Sequence, residues 1–154
     1  MAKKKINWQN GDVFFVKLKD GTYTTGQILD LQMKNVVRCA FFDERIINQQ
    51  EANVSCNVKN LISILATTRE QLDFGIWKIL GNKKIEILID EYPNEQFRNN
   101  DWIGAKVYDA AVVEEFLDAF YALIPWDDWA DPNYLDKLLL DKTKKPNKLI
   151  FIKN

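Results

Sequence analysis

Two apolar, strand-forming runs meet at Asp20-Gly21, and that junction limits the folds open to this chain more than any other feature. Glycine accepts the positive φ that a tight reversal needs, so Asp-Gly between apolar runs signals a β-hairpin. On the near side, Val13 and Phe15 alternate with Phe14 and Val16 from Asp12 to Lys19, which offers two apolar faces. On the far side, Thr22 to Leu31 is rich in Thr, Tyr, Ile and Leu. Gly26 interrupts it, as a bulge or sharp bend would require. Lys34-Asn35 marks a second turn, and Val36 to Phe42 is apolar enough for a central third strand. Strands joined by short turns pair antiparallel. We therefore expect an antiparallel meander, strongly bent or curled into a half-open barrel.

Beyond it, Asp43 to Asn57 reads as an exposed polar loop and Val58 to Ala66 as a strand. Arg69 to Phe74 suits a short helical turn. Phe74 to Leu80 and Lys84 to Ile89 are further strand candidates, split by Gly81-Asn82, with a loop at Tyr92-Pro93-Asn94. The last third is helical in pattern. Asp109 is a natural N-cap. Val112, Val113, Phe116, Leu117, Phe120, Leu123 and Ile124 follow on one face, with Glu114, Glu115 and Asp118 on the other. Pro125 stops that helix, and Asp131-Pro132 starts another, with Tyr134, Leu135, Leu138 and Leu139 on its apolar side. A basic loop, Lys142 to Lys148, leads to a terminal strand, Leu149 to Ile152. With no repeat and no linker, residues 1–154 read as one α+β domain, its N-terminal sheet packed against C-terminal helices.

A chain of 154 residues, 47% apolar, can bury about two-thirds of the surface it exposes when unfolded. No apolar run approaches the roughly 20 residues that span a bilayer. The start, Met-Ala-Lys-Lys-Lys, is followed by polar Asn7, Gln9 and Asn10 where a signal peptide needs an apolar stretch. A cytoplasmic protein is expected. Cys39 lies in an apolar run and should be buried, whereas Cys56 lies in a polar loop that leaves its exposure open; a disulfide between them is not expected in a reducing compartment.

Histidine is absent altogether. That removes serine–histidine and cysteine–histidine nucleophile schemes, histidine-ligated zinc and the two-histidine, one-carboxylate iron site. The net charge of −1 conceals three blocks: residues 1–66 carry +3, residues 67–141 carry −9, and residues 142–154 carry +5. The acidic block repels nucleic-acid phosphates and would steer a basic protein toward itself.

Within that block, Trp126-Asp127-Asp128-Trp129-Ala130-Asp131 is the sharpest local feature. Its three carboxylates lack the spacing and glycine of a calcium loop, so neither a metal nor another cofactor is expected. Trp126, Asp127, Asp128, Trp129 and Asp131 instead form the candidate partner-binding set, since tryptophan is enriched at interface hot spots. The plainer reading makes the segment a corner between two helices, with Asp127 and Asp131 as caps. Asp90-Glu91 and Glu114-Glu115 are sequence neighbours, so the members of each pair do not face one another as a glycosidase pair must. The glycines match neither nucleotide-binding fingerprint. No catalytic residues are expected.

Gly11-Asp12-Val13-Phe14, Leu18-Lys19-Asp20-Gly21-Thr22-Tyr23, Gly26-Gln27-Ile28, Trp77-Lys78-Ile79-Leu80-Gly81-Asn82, Phe116-Leu117-Asp118-Ala119-Phe120-Tyr121 and Leu123-Ile124-Pro125-Trp126-Asp127 together resemble the immunity-26 family of bacterial polymorphic-toxin systems. The resemblance implies a cytosolic immunity protein that binds and neutralises a cognate toxin. Some members carry a phosphotriesterase label, but metal-dependent triester hydrolysis usually needs histidines that this chain lacks. Two alternatives stand beside this reading: a small hydrolase acting through carboxylates, and an adaptor that binds peptides along a sheet edge.

Overall fold

A computed structural model describes residues 4–49 and 53–152. The first three expected strands form. They are β1 (Asp12–Lys17), β2 (Tyr23–Met33) and β3 (Val36–Ile46). β4 (Leu61–Thr68), a single helical turn α1 (Glu70–Asp73), β5 (Lys78–Asn82) and the helix α2 (Ala110–Phe120) follow. The five strands make one antiparallel sheet in the order β4-β3-β2-β1-β5. The fold is thus α+β, and the sheet does not close into a barrel.

The hairpin after β1 is wider than a two-residue turn. Residues 18–22 connect the strands, closed by Leu18 N–H donating to Thr22 C=O at 2.8 Å. Gly21 has φ 85° as expected, and the Asp20 carboxylate accepts from the Thr22 amide at 3.0 Å. Lys34-Asn35 does make a two-residue turn, with Met33 and Val36 paired across it.

The two apolar faces of β1 acquire separate cores. Phe14, Val16 and Leu18 join Ile28, Val37, Cys39 and Phe41 in the larger one, beneath α2 residues Val113, Phe116, Leu117 and Phe120. Val13 and Phe15 join Leu29, Ala40, Phe42 and Ile64 on the other side, covered by Val54, Cys56 and Ile87. Gly26 is not a bulge: it pairs in register with Phe14 and Phe41. A Cβ there would lie 2.4 Å from the tip of the Phe14 ring, so glycine is what lets that ring cross β2.

Other expectations shift for local reasons. β3 continues to Ile46 instead of giving way to a loop at Asp43. Asn57 caps a 3-10 turn, Val58–Asn60, which delays β4 to Leu61. Residues 84–89 form no strand; Ile85 and Ile87 drop into the second core while Leu88 and Ile89 face solvent. Their alternation serves packing without strand pairing. Asp109 caps α2, accepting from the Ala111 amide at 2.9 Å. The helix ends at Phe120, before Pro125. Ala122 turns left-handed at φ 60°, and Leu123 N–H donates to Asp118 C=O at 2.9 Å, a Schellman stop made without glycine. Asp118 is buried rather than solvent-facing and accepts from the Lys19 amide at 2.8 Å. The expected second helix is a 3-10 segment, Tyr134–Leu138, and the expected terminal strand is a lone bridge from Ile150 to Pro125. No helix among the described residues is long and apolar enough to cross a membrane.

Arg38 holds the irregular segment 89–107 against the sheet. Its side chain is fully buried and forks onto Asp30, with Nε–Oδ1 at 2.7 Å and Nη2–Oδ2 at 2.6 Å. Nη1 donates to Glu95 at 2.8 Å and to Pro93 C=O at 3.0 Å. The Tyr92 and Trp102 rings lie 4.9 and 5.4 Å from the guanidinium carbon. Asn94, left-handed at φ 68°, adds bonds to Gln32, Lys106 C=O and the Lys106 amide.

Candidate partner-binding face

The corner that follows α2 divides the five candidate residues. Trp126 is 1% exposed: it packs against Phe116 at 5.9 Å and its indole N–H donates to Asp136 at 2.7 Å. Asp127 is 6% exposed and accepts from the Ile152 amide at 2.7 Å. These two residues are buried and close the corner. Asp128 and Asp131 are exposed, and Trp129 is half-buried. Asp128 makes no ion pair or hydrogen bond with the described residues. Asp131 accepts from the Asn133 amide at 2.9 Å and pairs with Lys137 at 3.2 Å. That backbone bond first, and Lys137 second, hold its carboxyl below the usual range.

Trp129 is one end of an aromatic row that its own neighbourhood in the sequence does not reveal. Its ring lies 4.7 Å from Tyr134, which lies 6.4 Å from Tyr108, and all three are half-buried. Tyr108 is pinned to the outer edge of β4: its amide donates to Ala66 C=O at 2.9 Å, and its carbonyl accepts from Thr68 at 3.3 Å. Burial, and secondarily Tyr134, raise the Tyr108 hydroxyl above its ordinary pKa, so it stays neutral and able to donate. Exposed Asp109, Asp128 and Asp131 adjoin members of the row in sequence. The result is a row of half-buried aromatic rings whose sequence neighbours include exposed carboxylates. Such rings bury large area at little entropic cost, and nearby charge speeds encounter. Sequence reading assigned Tyr134 to a helix core and passed over Tyr108; the half-apolar, half-polar character of tyrosine was the available signal.

The other acidic candidates disperse. Glu114 accepts from Gln71 at 3.0 Å and from the Trp77 indole at 3.1 Å, while Glu115 faces solvent. Among the described residues, no group of three or more His, Cys, Asp or Glu gathers as metal ligands would. Cys56, whose exposure its polar sequence neighbours leave open, is buried at 6% exposure. Burial first, then Glu44, pushes its thiol up to about 12, so it is inert as a nucleophile at neutral pH. Both cysteines are free thiols.

Comparison with curated proteins and with solved structures gives no match. A family model described as a domain of unknown function does match, over residues 3–123. Its description names no activity and does not mention the immunity-26 family. It stops short of the corner, although Trp126, Leu135, Leu138 and Leu139 belong to the same core as α2. On that match across most of its length, the chain belongs to the DUF8309 family.

Proposed function

We propose that this protein is an immunity-type inhibitor that binds and neutralises a cognate toxin bearing a basic surface. The observation that carries the reading is the half-buried row Trp129–Tyr134–Tyr108, with exposed Asp128, Asp131 and Asp109 adjoining it. Aromatic side chains anchored in a rigid frame lose little freedom on binding, and a carboxylate fringe draws a cationic partner in. The motif resemblance supports the same role. Of the five residues singled out in the sequence, Asp128, Trp129 and Asp131 belong to this proposed face, and Trp126 and Asp127 support it from below.

Peptide capture along a sheet edge is less favoured. The outer side of β4 is occupied by Tyr108 and by Leu140, whose amide donates to Ile62 C=O at 2.8 Å. β5 is five residues long, carries a register shift against β1, and places Lys78 on the edge. Short, irregular, lysine-bearing edges resist strand addition.

The test is co-expression with the product of the adjacent gene, followed by binding kinetics on the purified pair. The protein should rescue growth. Asp128→Lys should slow association steeply at low salt, and Trp129→Ala should chiefly raise the dissociation rate. Tm of Asp128→Lys should match the parent. Failure to rescue, or unchanged kinetics in both variants, would reject the proposal.

A further inference from the structure

We propose that the cleft between the basic loop 142–147 and the adjoining ends of β3, β4 and α2 binds a small phosphorylated molecule. It has a volume of about 460 Å³, within the range of roughly 300–1,000 Å³ typical of small-ligand pockets. Lys144 and Lys145 of the C-terminal +5 block, together with Lys59, supply its charge.

Lys59, Lys144 and Lys145 line the cleft against a single carboxylate, Asp43. The three lysines are not equivalent. Lys145 is drawn to Asp136 at 3.0 Å and lies 5.8 Å from the Trp126 ring. Lys59 and Lys144 form no ion pair with the described residues. Lys144 Nζ also donates to Lys59 C=O at 3.4 Å, which ties the basic loop to the turn before β4. Two lysines without an ion pair, lining one cleft, suit a dianion. A phosphate monoester carries about −1.5 to −2 at neutral pH and three acceptor oxygens, whereas a carboxylate would answer only one of the lysines.

The rest of the lining fits an organic remainder. Tyr121 donates to Asp43 at 2.9 Å and shares a bond with Thr24 at 3.1 Å, so the lone carboxylate is engaged by a neutral hydroxyl. Burial first among causes raises that hydroxyl's pKa. The side-chain amides of Asn60 and Asn147 are exposed and carry no bond to the described residues, leaving them open to sugar or base edges. A long polyanion is disfavoured by the −9 block elsewhere on the chain.

The experiment is an NMR amide-shift titration of the full chain at constant ionic strength. The probes are adenosine 5′-monophosphate, inorganic phosphate and adenosine, with sodium chloride as the control. Saturable shifts at Lys59, Tyr121, Thr143 and Asn147 are expected with the monophosphate and absent with adenosine. Saturation by inorganic phosphate at the same amides would identify the phosphoryl group as the main determinant and also support the site. The double variant Lys59→Ala/Lys144→Ala should weaken binding by about tenfold or more, as expected for loss of two charge-assisted contacts, with Tm unchanged. The proposal is overturned if neither phosphate probe saturates, if adenosine binds as well as its monophosphate, if chloride reproduces the shifts, or if the double variant binds undiminished.

Discussion

Gly26→Ala tests the packing of the larger core at its tightest point. The added Cβ would stand 2.4 Å from Phe14 Cζ, 2.7 Å from its Cε2 and 3.0 Å from Ala40 C=O. Phe14 has no room to yield. It is fully buried, stacked on Trp77 at 5.3 Å with an interplanar angle of 3°, and edge-on to Phe41 at 6.0 Å. Overfilling a packed core in this way costs about 1–3 kcal/mol. Alanine in place of glycine also restricts the unfolded chain, which returns about 0.4–1 kcal/mol. The net expectation is destabilisation of up to about 2.5 kcal/mol, read by urea unfolding followed through tryptophan fluorescence. The two shortest contacts are with one ring, so a double-mutant cycle isolates their share. Phe14→Leu alone should destabilise by leaving a cavity, but in its presence Gly26→Ala should become nearly neutral. A coupling of at least about 1 kcal/mol is expected for such direct neighbours. If Gly26→Ala stabilises the protein, or if the two changes are additive, glycine stands at 26 for some reason other than the passage of the Phe14 ring.

Two further tests address the latch on segment 89–107. Arg38→Met should destabilise by about 3–5 kcal/mol, because Asp30 and Glu95 then lose their shared counter-charge beneath Tyr92 and Trp102; their partial exposure, 21% and 22%, favours the lower end, and denaturant unfolding reads it. The Glu95 carboxyl is held down to about 2, by hydrogen bonds from Arg98 first and Arg38 second. A depressed folded-state value means that its contribution is complete above the ordinary carboxylate range and fades as pH falls toward 2. The NMR signal of the Trp102 indole N–H, followed by acid titration, should report loosening of the segment across that window. Glu95→Gln should remove this step while leaving spectra at neutral pH close to the parent, and an unchanged acid profile in that variant would discount the latch.

Local chemistry made part of this protein legible without a structure. Strands β1 to β3, the turns at Gly21 and Lys34-Asn35, and the Asp109 cap of α2 each depend on a few adjacent residues: alternation of period two, a left-handed glycine, a side-chain oxygen reaching an amide two positions on. Where alternation or composition had more than one use, the residues alone did not choose. Gly26 looked like a bulge and proved to be the gap for a ring from β1. Ile85 and Ile87 alternate as a strand would, yet they plug a core without a partner strand. Cys56 sits among polar neighbours in sequence, but the chain folds it under the second face of the sheet. The same holds for the candidate surface. Trp126 and Asp127 are adjacent to Asp128 and Trp129, yet the corner turns the first two inward and leaves Asp128 exposed and Trp129 half-exposed. Trp129 then acquires Tyr134 and Tyr108 as neighbours through packing, with Tyr108 fixed by a bridge to Thr67. Burial and company of this kind come from contacts between residues distant in the chain, which only long-range packing brings together.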